Sequence, residues 1–342
     1  MFPFLRLTRP LNLLIIVATM LLMRYGVIGG HLERGLQVLL LQLDVPVERS
    51  ELVIDPGFGP QMPASLFALL MLSTVLIAAA GNVINDYFDT RIDRINKPGE
   101  VIVGRTVKRR VAMTAHLVMS GIGLVLGAFV AWRCGLLRLA VIPAFTIAAL
   151  WTYSTNFKRQ LITGNLMVAL LTALVPLTVG LYEIPLLQRG FAEHAVVGIP
   201  NGDRFGMEPS YPELWYWILG FSGFAFLATL ARELQKDMAD VKGDLAAGCR
   251  TIPIVWGMRR AKTLVMVHIG ILIVALLAAR ALVFSDELSF WYIGIGIIGP
   301  LLLSAGFTYN AVTRSEHVRA GSLMKAAMMM GAGFAALIRF LP

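Results

Sequence analysis

Six aspartates form two short clusters in which the same spacing recurs. The first cluster consists of Asp86, Asp89 and Asp93. The second consists of Asp237, Asp240 and Asp244. Steps of three and four residues place side chains on one face of an α-helix. Like charges one turn apart repel, and a partly dehydrated carboxyl group favours its neutral form. Because a divalent cation offsets both effects, the two clusters are candidates for a metal site.

The chemistry available to such clusters is the activation of a diphosphate. Mg²⁺ favours oxygen ligands and is commonly held by one or two carboxylates together with substrate phosphates. Interleaved bases suit the remaining phosphate oxygens, and they are Arg91, Arg94, Lys97, Lys236 and Lys242. Mg²⁺ makes a diphosphate a better leaving group, and the allylic cation left behind needs a water-poor pocket. The sequence therefore predicts a Mg²⁺-dependent enzyme that acts on an isoprenyl diphosphate.

A simpler interpretation is a solvated helix end, whose charged side chains bind no ligand. A single cluster beside a membrane would fit that interpretation equally well. Two separate helices with the same spacing fit it poorly, because ionisable residues near membrane-spanning segments are costly and commonly functional. The repeated pattern favours a matched pair of binding faces.

Composition predicts the elements that must hold these clusters. The chain has 342 residues, 57% of them hydrophobic and 15% charged, with a mean hydropathy of +0.72, whereas soluble domains carry roughly 25% charged residues. The net charge of +9 is explained by basic cytoplasmic loops, so no nucleic-acid partner is expected. We predict an all-α, multi-spanning membrane helix bundle with about nine transmembrane helices around a central cavity, surrounded by the lipid bilayer.

Nine apolar segments are long enough to cross a bilayer, which takes about 20 residues. They are Leu11–Ile28, Ser65–Tyr87, Val111–Trp132, Leu136–Tyr153, Thr163–Tyr182, Trp215–Glu233, Thr263–Leu282, Phe290–Tyr309 and Leu323–Phe340. Residues 1–342 are interpreted as a single domain with two internally similar halves, because the clusters follow spans 2 and 6. Two longer polar connections, His31–Met62 and Glu183–Glu213, are predicted to be loops on one side.

The loop charges predict an orientation. The connections that follow even-numbered spans carry more Lys and Arg than the others, and those after spans 2 and 6 are the most basic. The positive-inside rule then places the N-terminus and both clusters in the cytoplasm. We expect a multi-pass protein of the inner membrane of a prokaryote. The two cysteines, Cys134 and Cys249, indicate neither a disulfide framework nor a zinc site.

The two clusters also resemble a known family. The pattern Asn85-Asp86-x-x-Asp89-x-x-x-Asp93, followed by the second cluster, is similar to the UbiA superfamily of intramembrane prenyltransferases. Weaker marks agree across the chain, and they are Arg9-Pro10-Leu11-Asn12, Tyr153-Ser154, Gly164-Asn165 and Arg232-Glu233. The resemblance implies a nine-helix bundle that binds Mg²⁺ and a diphosphate near its cytoplasmic face.

The resemblance also implies residue roles. It favours Asn85, Asp89 and Asp93 as one metal-binding face with Asp86 beside it, and the second cluster as its partner, whereas spacing alone leaves all six aspartates as candidates for metal binding and catalysis. The expected substrate-binding residues are Asn12, Arg91, Arg94, Lys97, Tyr153, Lys158, Arg232 and Lys236. An interfacial position for Tyr153 and a topological role for Lys158 remain open alternatives.

The sequence around the first cluster bears on the acceptor. Tyr87-Phe88 and Ile92–Pro98 are most similar to the digeranylgeranylglyceryl phosphate synthase-like members, which implies transfer from geranylgeranyl diphosphate to the hydroxyl of a lipophilic acceptor, a prenylglyceryl phosphate. Glu100–Arg105 departs from the usual family pattern, so an aromatic prenyltransferase of quinone biosynthesis stays open. A membrane transporter is the alternative of another class, although transporter carboxylates lie nearer the bilayer midplane.

Overall fold

The computed structural model describes residues 2–42, 53–54, 57–191, 197–198 and 204–340. Within these residues, nine helices are long and apolar enough to cross a membrane. They are α2 (Pro10–Gln42), α3 (Ala64–Asn96), α4 (Arg109–Arg133), α5 (Leu137–Thr155), α6 (Thr163–Phe191), α7 (Tyr211–Ala246), α9 (Met258–Leu282), α10 (Glu287–Asn310) and α11 (Arg314–Ile338). The predicted fold class, an all-α multi-spanning helix bundle, is confirmed.

Smaller elements join these helices. The short helices are α1 (Phe2–Thr8), α8 (Ile252–Val255) and a 3₁₀ turn at Phe157–Arg159. Three two-residue antiparallel strands, β1 (Val53–Ile54), β2 (Val197–Gly198) and β3 (Arg204–Phe205), form a small sheet in the order β1-β2-β3. The sheet joins the two long polar connections, and no sheet was expected from the sequence.

Two helices extend further than predicted. His31–Gln42 continues α2 and Glu183–Phe191 continues α6, so neither segment is a loop. Leu32 and Leu36 are buried at helical spacing in the first extension. In the second, Glu183 is fully buried and its charge is offset by an ion pair of 2.8 Å with Arg24. Parts of both predicted loops, residues 43–52 and 192–196, lie outside the described residues.

The helices that carry the clusters also extend beyond their predicted spans. Helix α3 runs to Asn96 and α7 to Ala246, so both clusters lie on regular helix rather than in connections. Helix α3 ends where Lys97 precedes Pro98, because a residue before proline disfavours helical backbone angles. Gly248, with φ of +71°, follows the end of α7 in the left-handed conformation that glycine adopts readily. Continuous helix therefore fixes the spacing of the carboxylates.

Close backbone contact holds the first and last spanning helices together. A Cβ atom at Gly26 of α2 would lie 2.2 Å from the carbonyl oxygen of Ala335 on α11. Small residues at such positions let membrane helices approach closely. Gly26 lies within a π-helical segment, Leu22–Ile28, which is a common local distortion in functional helices. This contact fixes the distance between α2 and α11 at the level of Gly26 and Ala335.

Candidate active site

The first cluster lies near the C-terminal end of α3, which is the end predicted to face the cytoplasm. Asp89 is buried, whereas Asp86 and Asp93 are partly buried. The amide of Asn85 donates a hydrogen bond of 2.7 Å to Oδ2 of Asp89, and Lys158 forms an ion pair with the same oxygen. The Oδ1 atom of Asn85 is buried and has no hydrogen-bond partner. The first cluster thus offers a neutral oxygen beside three carboxylates.

The second cluster lies on α7 and is held from both sides. Asn165 donates a hydrogen bond of 2.8 Å to Oδ2 of Asp237. The guanidinium of Arg314 lies 3.5 Å from Oδ1 of Asp240, and Asp244 is buried. These contacts connect the cluster to α6 on one side and to α11 on the other, so its carboxylates are positioned by three helices.

Glu233 adds a further carboxylate one turn before Asp237. It is buried, and its two oxygens accept hydrogen bonds from Arg232 at 2.9 Å and Lys236 at 3.3 Å. A buried charge is costly unless it is paired, and here one carboxylate faces two cations. The arrangement leaves net positive charge next to the second cluster.

Asn96 joins the two cluster-bearing helices. Its side-chain amide donates to the carbonyl oxygen of Asp240 at 3.1 Å and accepts from the backbone N–H of Gly243 at 2.9 Å. A Cβ atom at Gly243 would lie 2.4 Å from Nδ2 of Asn96, so only glycine permits this approach. The contact brings the two clusters together at the same end of the bundle.

Lys158 lies between the clusters. Besides its ion pair with Asp89, it interacts electrostatically with Asp93 of the first cluster and Asp244 of the second. Burial acts to lower the pKa of Lys158, but the charge of Asp89 and the phenol of Tyr153 raise this pKa above its ordinary value. Lys158 therefore carries a firmly held positive charge where a phosphate group would bridge the clusters.

Tyr153 is buried at the end of α5. It interacts electrostatically with Lys158 and with Lys236 of α7, so its phenol lies between cations that come from different elements. This position is inside the site, and the sequence alternative of an interfacial tyrosine does not describe it.

Arg9 approaches the first cluster from the joint between α1 and α2. Its guanidinium lies 2.6 Å from Oδ1 of Asp86. Arg9 has φ of 54°, a left-handed conformation that is uncommon for residues other than glycine. Burial opposes the charge of Arg9, yet Asp86 raises its pKa above the usual value. A strained backbone that presents a cation to a carboxylate is typical of functional sites.

The structure does not bring every predicted substrate-binding residue to the clusters. Arg91 and Arg94 are exposed, and in the described part of the chain no hydrogen bond or ion pair joins them to a cluster carboxylate. Lys97 is partly buried and interacts electrostatically with Asp93. Asn12 accepts a hydrogen bond of 2.8 Å from Lys325 of α11, away from both clusters.

Four residues of the site were missing from the sequence candidates. They are Arg9, Asn96, Asn165 and Glu233. Glu233 had a signal, because it precedes Asp237 by four residues and so lies on the same helical face. Arg9 and Asn165 stood in segments that resemble the family. Asn96 also stood in such a segment, Ile92–Pro98, but no role was predicted for it because its partners lie on another helix.

The donor set fits Mg²⁺ when a diphosphate completes it. Among the described residues, no group of three or more His, Cys, Asp or Glu side chains is placed to hold a metal ion. Cations of the chain occupy the carboxylates instead, as Lys158 does at Asp89. The oxygens nevertheless belong to the hard type that Mg²⁺ prefers, and the buried Oδ1 of Asn85 has no other partner. These residues suit a metal that arrives together with substrate phosphates.

A bundle of this kind, with paired aspartate clusters at one end, defines an intramembrane prenyltransferase. The UbiA prenyltransferase family model matches residues 57–331, and the chain belongs to this family. It is accordingly a multi-pass integral membrane protein and an enzyme of the prenyltransferase class.

Curated relatives and solved structures agree with this assignment. The chain is 32% identical to the digeranylgeranylglyceryl phosphate synthase of Natronomonas pharaonis, over 82% of this chain and 86% of that protein. It is 26% identical to the synthase of the same name from Thermococcus sibiricus, over 79% and 81%. The apo structure of a UbiA homologue from Aeropyrum pernix K1 shares the fold, with a TM-score of 0.61 and 13% identity over 95% of this chain and 99% of that one.

A second solved structure has the same fold. It is a UbiA homologue from Archaeoglobus fulgidus bound to GPP and Mg²⁺, with a TM-score of 0.52 and 16% identity over 98% of this chain and 99% of that one. The two likenesses show that the described helices of this chain share the fold of these UbiA homologues.

Proposed function

We propose that this protein transfers a geranylgeranyl group from geranylgeranyl diphosphate to the hydroxyl of a prenylglyceryl phosphate, with Mg²⁺ as cofactor. The observation that carries the proposal is the meeting of two aspartate clusters around Lys158. The relatives named digeranylgeranylglyceryl phosphate synthase support the choice of acceptor, and the homologue bound to GPP and Mg²⁺ supports the choice of donor class and metal.

The carboxylates and one amide would hold the metal. The proposed ligands are Asn85, Asp89 and Asp93 on α3, and Asp240 and Asp244 on α7, with Asp86 and Asp237 beside them. Mg²⁺, when bound, neutralises the diphosphate and makes it a better leaving group. In the structure Lys158 pairs with Asp89. In the reaction we expect its ammonium group to turn to a phosphate oxygen.

The remaining cations hold the diphosphate in place. Arg9 approaches from the joint between α1 and α2, and Lys236 approaches from α7. Guanidinium and ammonium groups form strong, charge-assisted hydrogen bonds to phosphate oxygens. The donor's bond from its first carbon to the diphosphate oxygen breaks, and the acceptor's hydroxyl oxygen forms a bond to that carbon. The hydroxyl proton leaves with the released diphosphate. Apolar helix surface beside the site excludes water, which protects the allylic carbon from hydrolysis.

We propose that the site faces the cytoplasm of a prokaryote. The connections that follow the two cluster-bearing helices are the most basic ones, and positive charge gathers on the cytoplasmic side. We also propose that residues 1–342 form one domain with two similar halves. The equal spacing of the clusters on α3 and α7, and their junction at Asn96, support this.

An acceptor panel tests the proposed function. Purified protein would be incubated with Mg²⁺, geranylgeranyl diphosphate and one of three acceptors, a prenylglyceryl phosphate, 4-hydroxybenzoate or dihydroxynaphthoate, and products read by mass spectrometry. We expect a doubly prenylated glyceryl phosphate as the product. A prenylated aromatic product alone would replace the proposed acceptor, and substrate movement across proteoliposomes with no covalent product would indicate a transporter.

A further inference from the structure

Three polar residues stand where three helices change from polar to apolar. Lys325 is the last charged residue of α11 before the apolar segment 326–338, and Arg232 follows the apolar segment 214–231 of α7. Asn12 precedes the apolar segment 13–23 of α2. A lipid whose chains lie among the apolar segments would have its head group at this level.

Lys325 lacks a partner of opposite charge. Its ammonium group donates a hydrogen bond of 2.8 Å to Oδ1 of Asn12, which is a neutral amide. No carboxylate forms an ion pair with Lys325 in the part of the chain the structure describes. The nearby guanidinium of Arg232 repels it electrostatically. A half-buried cation with a second cation beside it is costly unless an anion binds there.

The charges around Lys325 do not balance. Arg232 and Lys236 share a single carboxylate, that of Glu233. Lys236 also interacts electrostatically with the cluster residues Asp237 and Asp244. Arg232 and Lys325 together with Glu233 therefore leave a net charge of about +1. The excess lies beside the aspartate clusters rather than within them, since Arg232 precedes Asp237, the first aspartate of the second cluster, by five residues, or about 7.5 Å along the helix.

The diphosphate has other cations to bind. Lys158 and Arg9 contact the first cluster directly, whereas Lys325 contacts none of the cluster aspartates. Lys236 connects the two regions, because it lies one turn from Arg232 and interacts electrostatically with Tyr153. The site therefore has room for a second anionic group next to the diphosphate.

We infer that Lys325, Arg232 and Asn12 form a binding site for the phosphate head group of the acceptor lipid. The inference rests on the proposed function and adds residues to it. Lys325 and Arg232 donate to the phosphate oxygens, and Asn12 orients the ammonium group of Lys325. The phosphate removes the repulsion between the two cations. The acceptor's chain then lies along the apolar segments of α2 and α11, with its hydroxyl towards the diphosphate.

A structural tie between α2 and α11 is the competing explanation. In that case the hydrogen bond between Lys325 and Asn12 only stabilises the bundle, and the charge has no ligand. Lys325→Gln separates the two explanations because an amide can still donate to Asn12 while the charge is lost. Lys325→Arg keeps the charge. Arg319→Gln is the matched control, since it removes a charge from an exposed position on the same helix.

The experiment measures acceptor binding without donor and without Mg²⁺. Titration calorimetry in detergent would use a prenylglyceryl phosphate, the same lipid without its phosphate, and inorganic phosphate. Loss of a charge-assisted hydrogen bond should weaken binding of the phosphate lipid about tenfold or more in Lys325→Gln. We expect wild-type affinity in Arg319→Gln, near wild-type affinity in Lys325→Arg, and unchanged affinity of Lys325→Gln for the phosphate-free lipid.

Each remaining outcome decides the matter. Equal affinity of wild type and Lys325→Gln for the phosphate lipid would overturn the inference and leave the proposed function intact. Inorganic phosphate binding as tightly as the lipid would show a free-anion site and also overturn it. Failure of the wild type to prenylate any prenylglyceryl phosphate would reject the proposed function itself. If Lys325→Gln does not fold, Asn12→Leu tests the same site from α2, because it removes the group that orients Lys325. It should bind the phosphate lipid more weakly than wild type and the phosphate-free lipid equally well, and wild-type affinity for the phosphate lipid would overturn the inference.

Discussion

The guanidinium of Arg9 lies 2.6 Å from the carboxylate of Asp86, although the backbone of Arg9 is left-handed, with φ of 54°. Such a conformation costs roughly 1 kcal/mol or more for a residue with a Cβ atom. Pro10 begins α2 immediately afterwards, so the chain turns sharply at this joint. The turn directs the Arg9 side chain to the first cluster.

Substitution of Arg9 by glycine and by alanine should separate strain from charge. Both variants lose the partly exposed ion pair, which contributes about 0–1 kcal/mol, but only glycine relieves the left-handed backbone. We expect Arg9→Gly to be at least as stable as Arg9→Ala in denaturant unfolding. Both should bind the prenyl diphosphate at least severalfold more weakly than wild type. Equal donor affinity in all three proteins would exclude Arg9 from the diphosphate site.

The junction between Asn96 and Gly243 should be required for the two clusters to act together. Gly243→Ala places a Cβ atom within 2.4 Å of Nδ2 of Asn96, which pushes α3 and α7 apart at this level. Asn96→Ala removes both hydrogen bonds between Asn96 and α7, to the carbonyl oxygen of Asp240 and from the N–H of Gly243, at a cost of about 1–3 kcal/mol.

Activity at several Mg²⁺ concentrations measures this effect. We expect both variants to need more Mg²⁺ for half-maximal rate. Gly306→Ala is a control, because a Cβ atom there meets nothing within 4 Å. A wild-type Mg²⁺ requirement in Gly243→Ala would mean that the separation of the clusters does not matter.

The buried ion pair of Arg24 and Glu183 should matter for stability and not for the reaction. The pair is 2.8 Å long, with side chains 3% and 0% exposed, and Glu183 also accepts from the backbone N–H of Met62 at 3.1 Å. Removing one partner leaves an unpaired buried charge and costs about 3–5 kcal/mol. Glu183→Gln should therefore lower the unfolding free energy strongly in a detergent unfolding series.

A double variant provides the control for this pair. Arg24→Met with Glu183→Leu removes both charges, so its stability should recover most of the loss. Specific activity per folded molecule should stay within about twofold of wild type in the single and double variants. Arg24 is separated from Arg9 by 15 residues and Glu183 from Asn165 by 18 residues, or roughly 22 Å and 27 Å of helix. A double variant as unstable as Glu183→Gln would contradict the charge argument.

The proposed orientation can be read from cysteine labelling. Thr106→Cys lies in the connection after α3 and Ser285→Cys in the connection after α9, and both positions are exposed. A membrane-impermeant maleimide applied to intact spheroplasts should label Ser285→Cys and spare Thr106→Cys until the membrane is opened. The native Cys134 and Cys249 are buried, which keeps the background low. The reverse labelling pattern would place the clusters outside.

The sequence predicts the helices and the clusters better than it predicts their partners. Nine apolar segments and a spacing of three and four residues are local properties, and both helices that carry the clusters are as regular as that spacing requires. Lys158 and Arg9 reach Asp89 and Asp86 through contacts between distant segments, which local patterns do not encode. The hydrogen bonds of Asn96 and Lys325 to other helices belong to the same class.

Two predicted substrate-binding residues show that a positive charge near the clusters is a weak indicator of a place in the site. Arg91 and Arg94 were chosen because bases suit phosphates, yet both are exposed. Helical periodicity of 3.6 residues per turn already turns Arg91 by about 200° from Asp89, so geometry would have favoured Lys97. The extension of α6 was missed for a different reason. Glu183 marked a polar loop in the sequence, whereas in the structure it is a buried helical residue whose charge is offset by Arg24.

The most direct test of the proposed function compares diphosphate release by the purified wild type and by variants that lack one cluster carboxylate. Wild type, Asp89→Asn and Asp240→Asn would be incubated with geranylgeranyl diphosphate and a prenylglyceryl phosphate, in Mg²⁺ and in EDTA. We predict Mg²⁺-dependent release matched by ether product in the wild type, and a loss of at least about a hundredfold in either variant while the unfolding midpoint is retained. Full activity of Asp89→Asn or Asp240→Asn, or of wild type in EDTA, would contradict the assignment of the two clusters.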